Sequence, residues 1–288
     1  MSLKQWIIRI FAGAVLLVGI GLMLYPIVSN LVFEKRQEAL AAFYEEKARE
    51  IPPAERSSQW EKCGAYNDAL YRSGARLTDP FGDEGARQDQ SYDALLNING
   101  DGVMGSMEIP GITGRLVIYH GTEERVLQKG VGHLEGSSLP VGGENTHAVL
   151  SAHCGLPSKK LFTNIDQLEV GDVFYLYILG ETLAYQVDNR LVVLPNEVDA
   201  LKIAPGKDFV TLVTCTPYGI NSHRLLVRGT RISYEEAKEI ELQQKRRAST
   251  WRQEYVKALF AGLGIVAVLG IVVFLIRLIR KRTGKQKK

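Results

Sequence analysis

The sequence predicts a mainly β domain held between two membrane-spanning helices. Three observations carry this. Seven short runs rich in β-branched and aromatic residues follow one another between residues 102 and 233, bounded by Gly, Pro, Asn or Asp. No regular alternation with helical patterns interrupts them, which favours a barrel or sandwich over a parallel α/β sheet. On either side lies an apolar run without a formal charge, Ile10–Phe33 and Ala258–Ile276, each long enough to cross a hydrocarbon core of ~30 Å.

Residues 1–33 are expected to form the first anchor. The run is too long for a signal-peptide apolar region and lacks a small-x-small exit, so it is read as uncleaved. Residues 34–101 begin helical: FEKRQEALAAFYEEKARE is broken by IPPAE, and SSQWEKCGAYNDALYRSG resumes the pattern, with Cys63 in a structural setting. Residues 75–101, rich in Gly, Asp, Arg and Gln, read as a long loop. Residues 102–233 hold VMGSMEIP, RLVIYHGT, HAVLSAH, DVFYLYIL, TLAYQVDNRLVVLP, FVTLVTC and RLLVRGTRI. Short helical pieces are expected around LFTNIDQL and EVDALKI. A polar linker helix over 234–257 leads to the second span and its basic tail, 258–288.

Charge is distributed unevenly. Residues 1–32 and 257–288 carry ten of the 35 Lys and Arg and no acid, leaving 25 bases against 32 acids between them, about −7. The basic clusters flank apolar segments, which removes the support for nucleic-acid binding. Under the positive-inside rule, Lys4, Arg9 and RLIRKRTGKQKK place both termini in the cytoplasm and the acidic middle outside, a two-pass arrangement in the bilayer. Three cysteines is an odd number, so at least one has no intramolecular partner.

Two motifs fail on context. NINGDGVMGSME places Asn97, Asn99, Asp101, Gly102 and Glu108 at EF-hand offsets, but VMGSMEIP alternates like a strand where a helix is required, so the stretch reads as a turn followed by a strand. GVGHLEG lacks the strand–helix setting of a dinucleotide site and reads as a loop. His153 and Cys154 are adjacent with no second cluster to complete four zinc ligands. No metal and no cofactor are expected.

Nucleophilic catalysis remains. A thiol of pKa ~8.5 is mostly protonated at neutral pH, so a working cysteine needs an imidazole nearby, and a tetrahedral intermediate needs a donor for its oxyanion. In HAVLSAHC, Ala148, Leu150, Ala152 and Cys154 share one face, and Val149, Ser151 and His153 the other. Pro217 stops the next run just after Cys215, leaving that thiol at a sheet rim. Arg224 points opposite to Leu225 and Val227. Parity alone does not show that His153, Cys215 and Arg224 converge, and for Cys215 by itself a core role is as good a reading as a catalytic one.

The combination resembles the sortases, membrane-anchored cysteine transpeptidases of Gram-positive surfaces. TLVTC matches their Thr-Leu-x-Thr-Cys signature, LSAHCGLP holds the family histidine in its usual setting, and Arg224 stands where the family's arginine stands. GSMEIPGI, YHGT, GVGHLEGSSLPVGG, TCTPYGINSHRLLVRG and the second span resemble class C, the pilus-assembling sortases. LTDPFGDEG is similar to the class C lid, with Asp79, Pro80 and Phe81 as the lid residues. Cys154 departs from the pattern, since arginine commonly follows the histidine in this class.

The resemblance implies a closed β-barrel of about eight strands. Cys215 would attack the Thr–Gly carbonyl of a Leu-Pro-x-Thr-Gly-like signal on a pilin, His153 would serve as acid and base, and Arg224 would steady the oxyanion. A lysine amine of a second pilin would resolve the thioester. Anchoring of surface proteins to peptidoglycan precursors, or a non-enzymatic membrane scaffold, are the alternatives.

Overall fold

The structure, a computed structural model, describes residues 3–74, 77–82 and 90–243. The chain divides into two units, Met1–Ile240 and Glu241–Lys288; of the second only the helical residues 241–243 are described. The expected second span and most of the linker helix therefore lie outside the described residues.

Helix α1, Leu3–Glu50, is continuous. The boundary expected between residues 33 and 34 falls inside this helix, and nothing from Glu34 to the Ile51-Pro52-Pro53 stop breaks helical geometry. Its first half is apolar with its side chains uncovered, Leu22 and Met23 being 71% and 79% exposed. It is the one described helix long and apolar enough to cross a bilayer, which suggests a membrane anchor. The second half docks on the barrel. Ala41, Tyr44 and Ala48 recur at helical spacing and are buried against Val103 and Val117. The Gln37 amide accepts from Val117 N–H at 2.8 Å and donates to the Lys129 carbonyl at 2.7 Å.

Helix α2, Pro53–Ser73, starts on proline and ends at Gly74, whose φ of 68° suits glycine. Asn67 pins it to the barrel by exchanging two hydrogen bonds with the Leu139 backbone. Within the stretch read as a long loop, the structure has a short helix α3, Gln90–Ala94. Tyr92 buries itself there, donating to the His133 carbonyl at 3.2 Å and accepting from Gly121 N–H at 3.1 Å.

Eight strands follow: β1 (Val103–Ile109), β2 (Thr113–His120), β3 (Val131–His133), β4 (Thr146–Ser151), β5 (Val173–Ile178), β6 (Glu181–Val193), β7 (Asp208–Thr216) and β8 (His223–Ile232). They close in the order β1-β2-β3-β4-β7-β8-β6-β5. The pairs β2–β3 and β4–β7 are parallel and the rest antiparallel. Inward residues such as Ile118, Leu150, Phe174, Leu212, Tyr185 and Val227 fill the interior.

The loop reading of GVGHLEG is corrected in part, because its second to fourth residues, Val131–His133, form β3. Three residues are too few for periodicity to register. The strand is possible because Gly132 has no side chain: a Cβ there would meet the Gly121 carbonyl at 2.4 Å. In NINGDGV the side chains serve the turn. Asn97 Oδ1 accepts from Gly102 N–H and Asp101 Oδ1 from Val103 N–H, and β1 begins at Val103. Glu108 is paired with Arg115 at 3.2 Å. The two short helical pieces expected within the barrel region are single 3₁₀ turns, Ile165–Gln167 and Asp199–Leu201.

Candidate active site

Three neighbouring strands set the geometry. In the parallel β4–β7 pair Ser151 lies beside Val213, so His153 and Cys215, each two residues further on, emerge at the same height and on the same outer face. In the antiparallel β7–β8 pair Cys215 lies opposite Arg224. The register therefore places histidine, cysteine and arginine side by side across β4, β7 and β8. The inward residues between them, Leu150, Leu212 and Leu225, anchor the strands in the core.

The rim is tied down by groups whose signal in the sequence was weaker. Thr214 Oγ1 donates to the Ala152 carbonyl at 2.7 Å, locking the end of β4 to β7 just before the histidine and the thiol. Phe162 N–H reaches the His153 carbonyl at 3.1 Å. Arg224 Nη1 donates to the carbonyls of Asn221 and His223 at 3.0 and 3.1 Å, which fixes the guanidinium from its own loop.

Residues 77–82 lie over this site. Arg224 Nε and Nη2 donate to Asp79 Oδ1 and Oδ2 at 2.8 and 2.6 Å, a bidentate pair whose side chains are only 10% and 15% exposed. Asp79 also accepts from Phe81 N–H at 3.3 Å, and Gly82 N–H closes a turn onto its carbonyl at 3.0 Å. Pro80 holds the corner. The Phe81 ring sits 5.9 Å from the His153 ring and 5.2 Å from the Arg224 guanidinium carbon. Leu77 and Phe81 also pack on an apolar strip of the outer face formed by Leu134, Val149, Leu201, Val213 and Leu226.

The other histidines are spent on structure. His133 and His147 are buried, each hydrogen-bonded to a backbone carbonyl, and burial lowers both to about 4. His120 bonds the carbonyls of Gly102 and Leu95. His223 contacts Ser222 Oγ. His153 differs: its Nε2 is buried without a hydrogen bond, although Glu124 Oε2, from the short helix α4 (Glu124–Leu127), lies 3.2 Å away. The two facts agree if the carboxylate is close but off the donor line, leaving an electrostatic contact. Nothing in the sequence singled out Glu124.

None of the three cysteines is in a disulfide. Cys63 is fully buried, which pushes its thiol up to about 12. Cys154 turns its sulfur to the Thr163 carbonyl at 3.8 Å. Cys215 is 9% exposed, and burial raises its thiol; Arg224 opposes the rise, while Asp79 and Cys154 add to it. Under the 77–82 segment, Cys215 is thus held toward its unreactive thiol form. Ser151, on the row that carries His153, is buried with no hydrogen-bond partner for its hydroxyl among the described residues.

A closed eight-stranded barrel with a thiol flanked by an imidazole and a guanidinium at one rim defines a thiol-dependent acyl-transfer architecture. A family described as the sortase domain matches residues 107–232. The solved sortase C-1 of Actinomyces oris is 48% identical, with a TM-score of 0.58, over 62% of this chain and 99% of its own. Sortase C of Streptococcus pneumoniae is 43% identical, with a TM-score of 0.63, over 68% of this chain and 97% of its own. Sortase A of Streptococcus agalactiae is 32% identical over 117 residues, 40% of this chain and 47% of that protein, so the match spans about half of that relative's length. The chain belongs to the sortase family, and its structural neighbours are class C sortases.

Proposed function

We propose that the protein is a pilus-assembling transpeptidase whose catalytic residues are His153, Cys215 and Arg224. The Cys215 thiolate attacks the Thr–Gly carbonyl of a Leu-Pro-x-Thr-Gly-like signal on one pilin. The resulting oxyanion is met by Arg224, which is fixed by its backbone contacts on the strand position opposite Cys215. As the tetrahedral intermediate collapses, the C–N bond breaks and the His153 imidazolium gives its proton to the leaving glycine amine. A lysine amine of a second pilin then attacks the thioester and His153 takes its proton. The isopeptide bond forms and the thiolate leaves. Nothing in this sequence of steps requires a cofactor.

The observation that carries the reading is the Asp79–Arg224 pair with Phe81 set between Arg224 and His153. A carboxylate and an apolar ring occupy the places that a substrate's polar backbone and side chains would take. This favours a lidded, pilin-specific enzyme over one that anchors proteins to peptidoglycan precursors. The pneumococcal neighbour, described with its pilin substrate specificity, and the group B streptococcal one, from a pilus island, point the same way. The division of labour follows: residues 1–33 anchor, 34–101 carry the lid, 102–233 are catalytic, 234–257 link, and 258–288 form a second span with a cytoplasmic tail.

A sorting-signal peptide bearing a thiol-directed electrophile should label Cys215 alone, and mass spectrometry of cells should recover a pilin-derived acyl group there. Labelling at Cys154 or Cys63 in place of Cys215 overturns the assignment. Protease added to wall-stripped cells should digest the middle and spare a tag after Lys288. Loss of the tag at the same rate overturns the two-pass arrangement.

A further inference from the structure

We infer that a cavity at the far end of the groove from Cys215 is a subsite for a bulky apolar side chain placed just upstream of the sorting motif on the pilin. The inference rests on the sortase reading above and adds a specificity determinant to it. The cavity, about 290 Å³, lies among the end of α2, the start of the lid segment, the β3–β4 loop and the Asp199–Leu201 turn. Leu70, Leu77, Leu201 and Ile203 make aliphatic walls, with the rings of Tyr71 and His147 beside them.

Its position follows from strand geometry. His147 is on the same outer row of β4 as Val149, Ser151 and His153, and its Nε2 contacts Thr211 Oγ1 on the Cys215 row of β7 at 2.7 Å. Six positions of strand separate His147 from His153, roughly 20 Å at about 3.3 Å per residue. An extended Leu-Pro-x-Thr segment with its carbonyl at Cys215 spans roughly 13 Å, which brings its leucine to the level of Val149 and Leu201. The next one or two residues upstream then reach the cavity. Leu201 belongs both to its wall and to the apolar strip of the groove, so the two are continuous, and Leu77 of the overlying segment packs at their junction.

The lining selects the occupant. Four aliphatic side chains and two rings reward burial of a large apolar group and offer no unpaired charge: the Lys202 ammonium at the rim is already held by Asp199 at 2.5 Å. The two His147 ring nitrogens are committed to Lys202 O and Thr211 Oγ1. A tryptophan or phenylalanine side chain fills such a site, whereas glycine leaves it empty.

The test uses the full-length chain in detergent and two fluorogenic peptides that share one sorting motif. One carries tryptophan two residues before the motif's leucine and the other glycine. The tryptophan peptide should show a kcat/KM roughly ten-fold or more higher, the order expected for burying one large apolar side chain. That ratio should collapse toward one in Ile203→Trp, which fills the cavity, and fall in Tyr71→Ala, an exposed helix position whose truncation leaves the core intact. Equal kcat/KM for the two peptides in the wild type overturns the subsite while leaving the sortase reading in place. So does an undiminished ratio in both variants. Failure of both peptides to acylate Cys215 overturns the sortase reading, and the subsite with it.

Discussion

Asp79 grips Arg224 through both carboxylate oxygens, from 145 positions away in the chain, and does so directly beside the Cys215 thiol. The guanidinium that would serve an oxyanion is already occupied by a fixed one. On the mechanism proposed above, substrate would have to displace this contact before chemistry starts, and the closed population would lower apparent affinity in proportion.

Replacing Asp79 and Phe81 together with alanine should raise the rate at which a small alkylating reagent modifies Cys215, and should speed cleavage of a sorting peptide. Two effects combine, since the cover is removed and the carboxylate that disfavours the thiolate is gone. The second is read from pH. In the wild type the alkylation midpoint should lie above the ordinary thiol value, and in Asp79→Ala it should move down. A double variant that is folded but alkylates no faster, with an unmoved midpoint, shows that the segment is not a lid.

Arg224→Lys keeps a charge but loses the fork that now spans Asp79 and two backbone carbonyls. Turnover should fall by roughly 10²–10³-fold, the loss typical of one oxyanion donor. Unchanged kcat would show that a point charge suffices. Arg228 is not available as a substitute, because it is paired with Asp188 through two contacts of 2.9 and 3.0 Å.

Cys215→Ala should abolish transpeptidation, whereas Cys154→Ala should leave it largely intact, since that sulfur makes only a long contact with the Thr163 carbonyl. Cys63→Ala should also retain activity but lower thermal stability, because Cys63 is wholly buried in the main core. Peptide-joining assays and thermal melts separate the two effects.

Ser151→Ala removes a buried hydroxyl that has no partner in the closed state. The melting temperature should hold or rise slightly, because an unsatisfied polar group is removed. If that hydroxyl bonds the extended substrate, kcat/KM for the sorting peptide should fall several-fold. A variant equally stable and equally active would leave Ser151 without a role in the groove.

Acid should weaken the barrel through His133 and His147. Both sit near 4 in the folded state against 6.5 for an ordinary imidazole, so the unfolded chain binds more protons between those values. Their stabilising contribution is whole above about 6.5 and is lost as pH falls toward 4. Buried Asp208, whose carboxyl is raised, works against this at the lower end. Melting temperature measured from pH 7 to pH 4.5 should decline, and a flat profile would contradict the buried neutral imidazoles.

Much of the site was legible because it lies on strands. Period-two alternation in HAVLSAHC and RLLVRG put His153 and Arg224 on faces opposite the core residues Leu150 and Leu225, and the structure has them there. That Cys215 lies between them was not legible from parity, since it depends on β4 pairing with β7 across more than 50 intervening residues. Only the motif resemblance bridged that distance. Glu124 escaped notice because a four-residue helix has no periodicity, and β3 because three residues have none either. Asp79, Pro80 and Phe81 were marked as lid residues by the motif resemblance alone, since the hold of Asp79 on Arg224 is a tertiary contact that no local pattern encodes.

The unbroken course of α1 sets where the barrel can work. Its uncovered apolar half passes without a linker into the half that is packed against β1 and β2. A flexible tether of 20 residues would let a domain sweep a radius of roughly 25 Å, but a helix fused to its cargo grants no such freedom. Once the apolar half is seated in a bilayer, the height of the Cys215 rim above the lipid is a fixed dimension of the molecule. Whatever the rim acts on would then have to be presented at that height, because the helix gives the barrel no reach of its own.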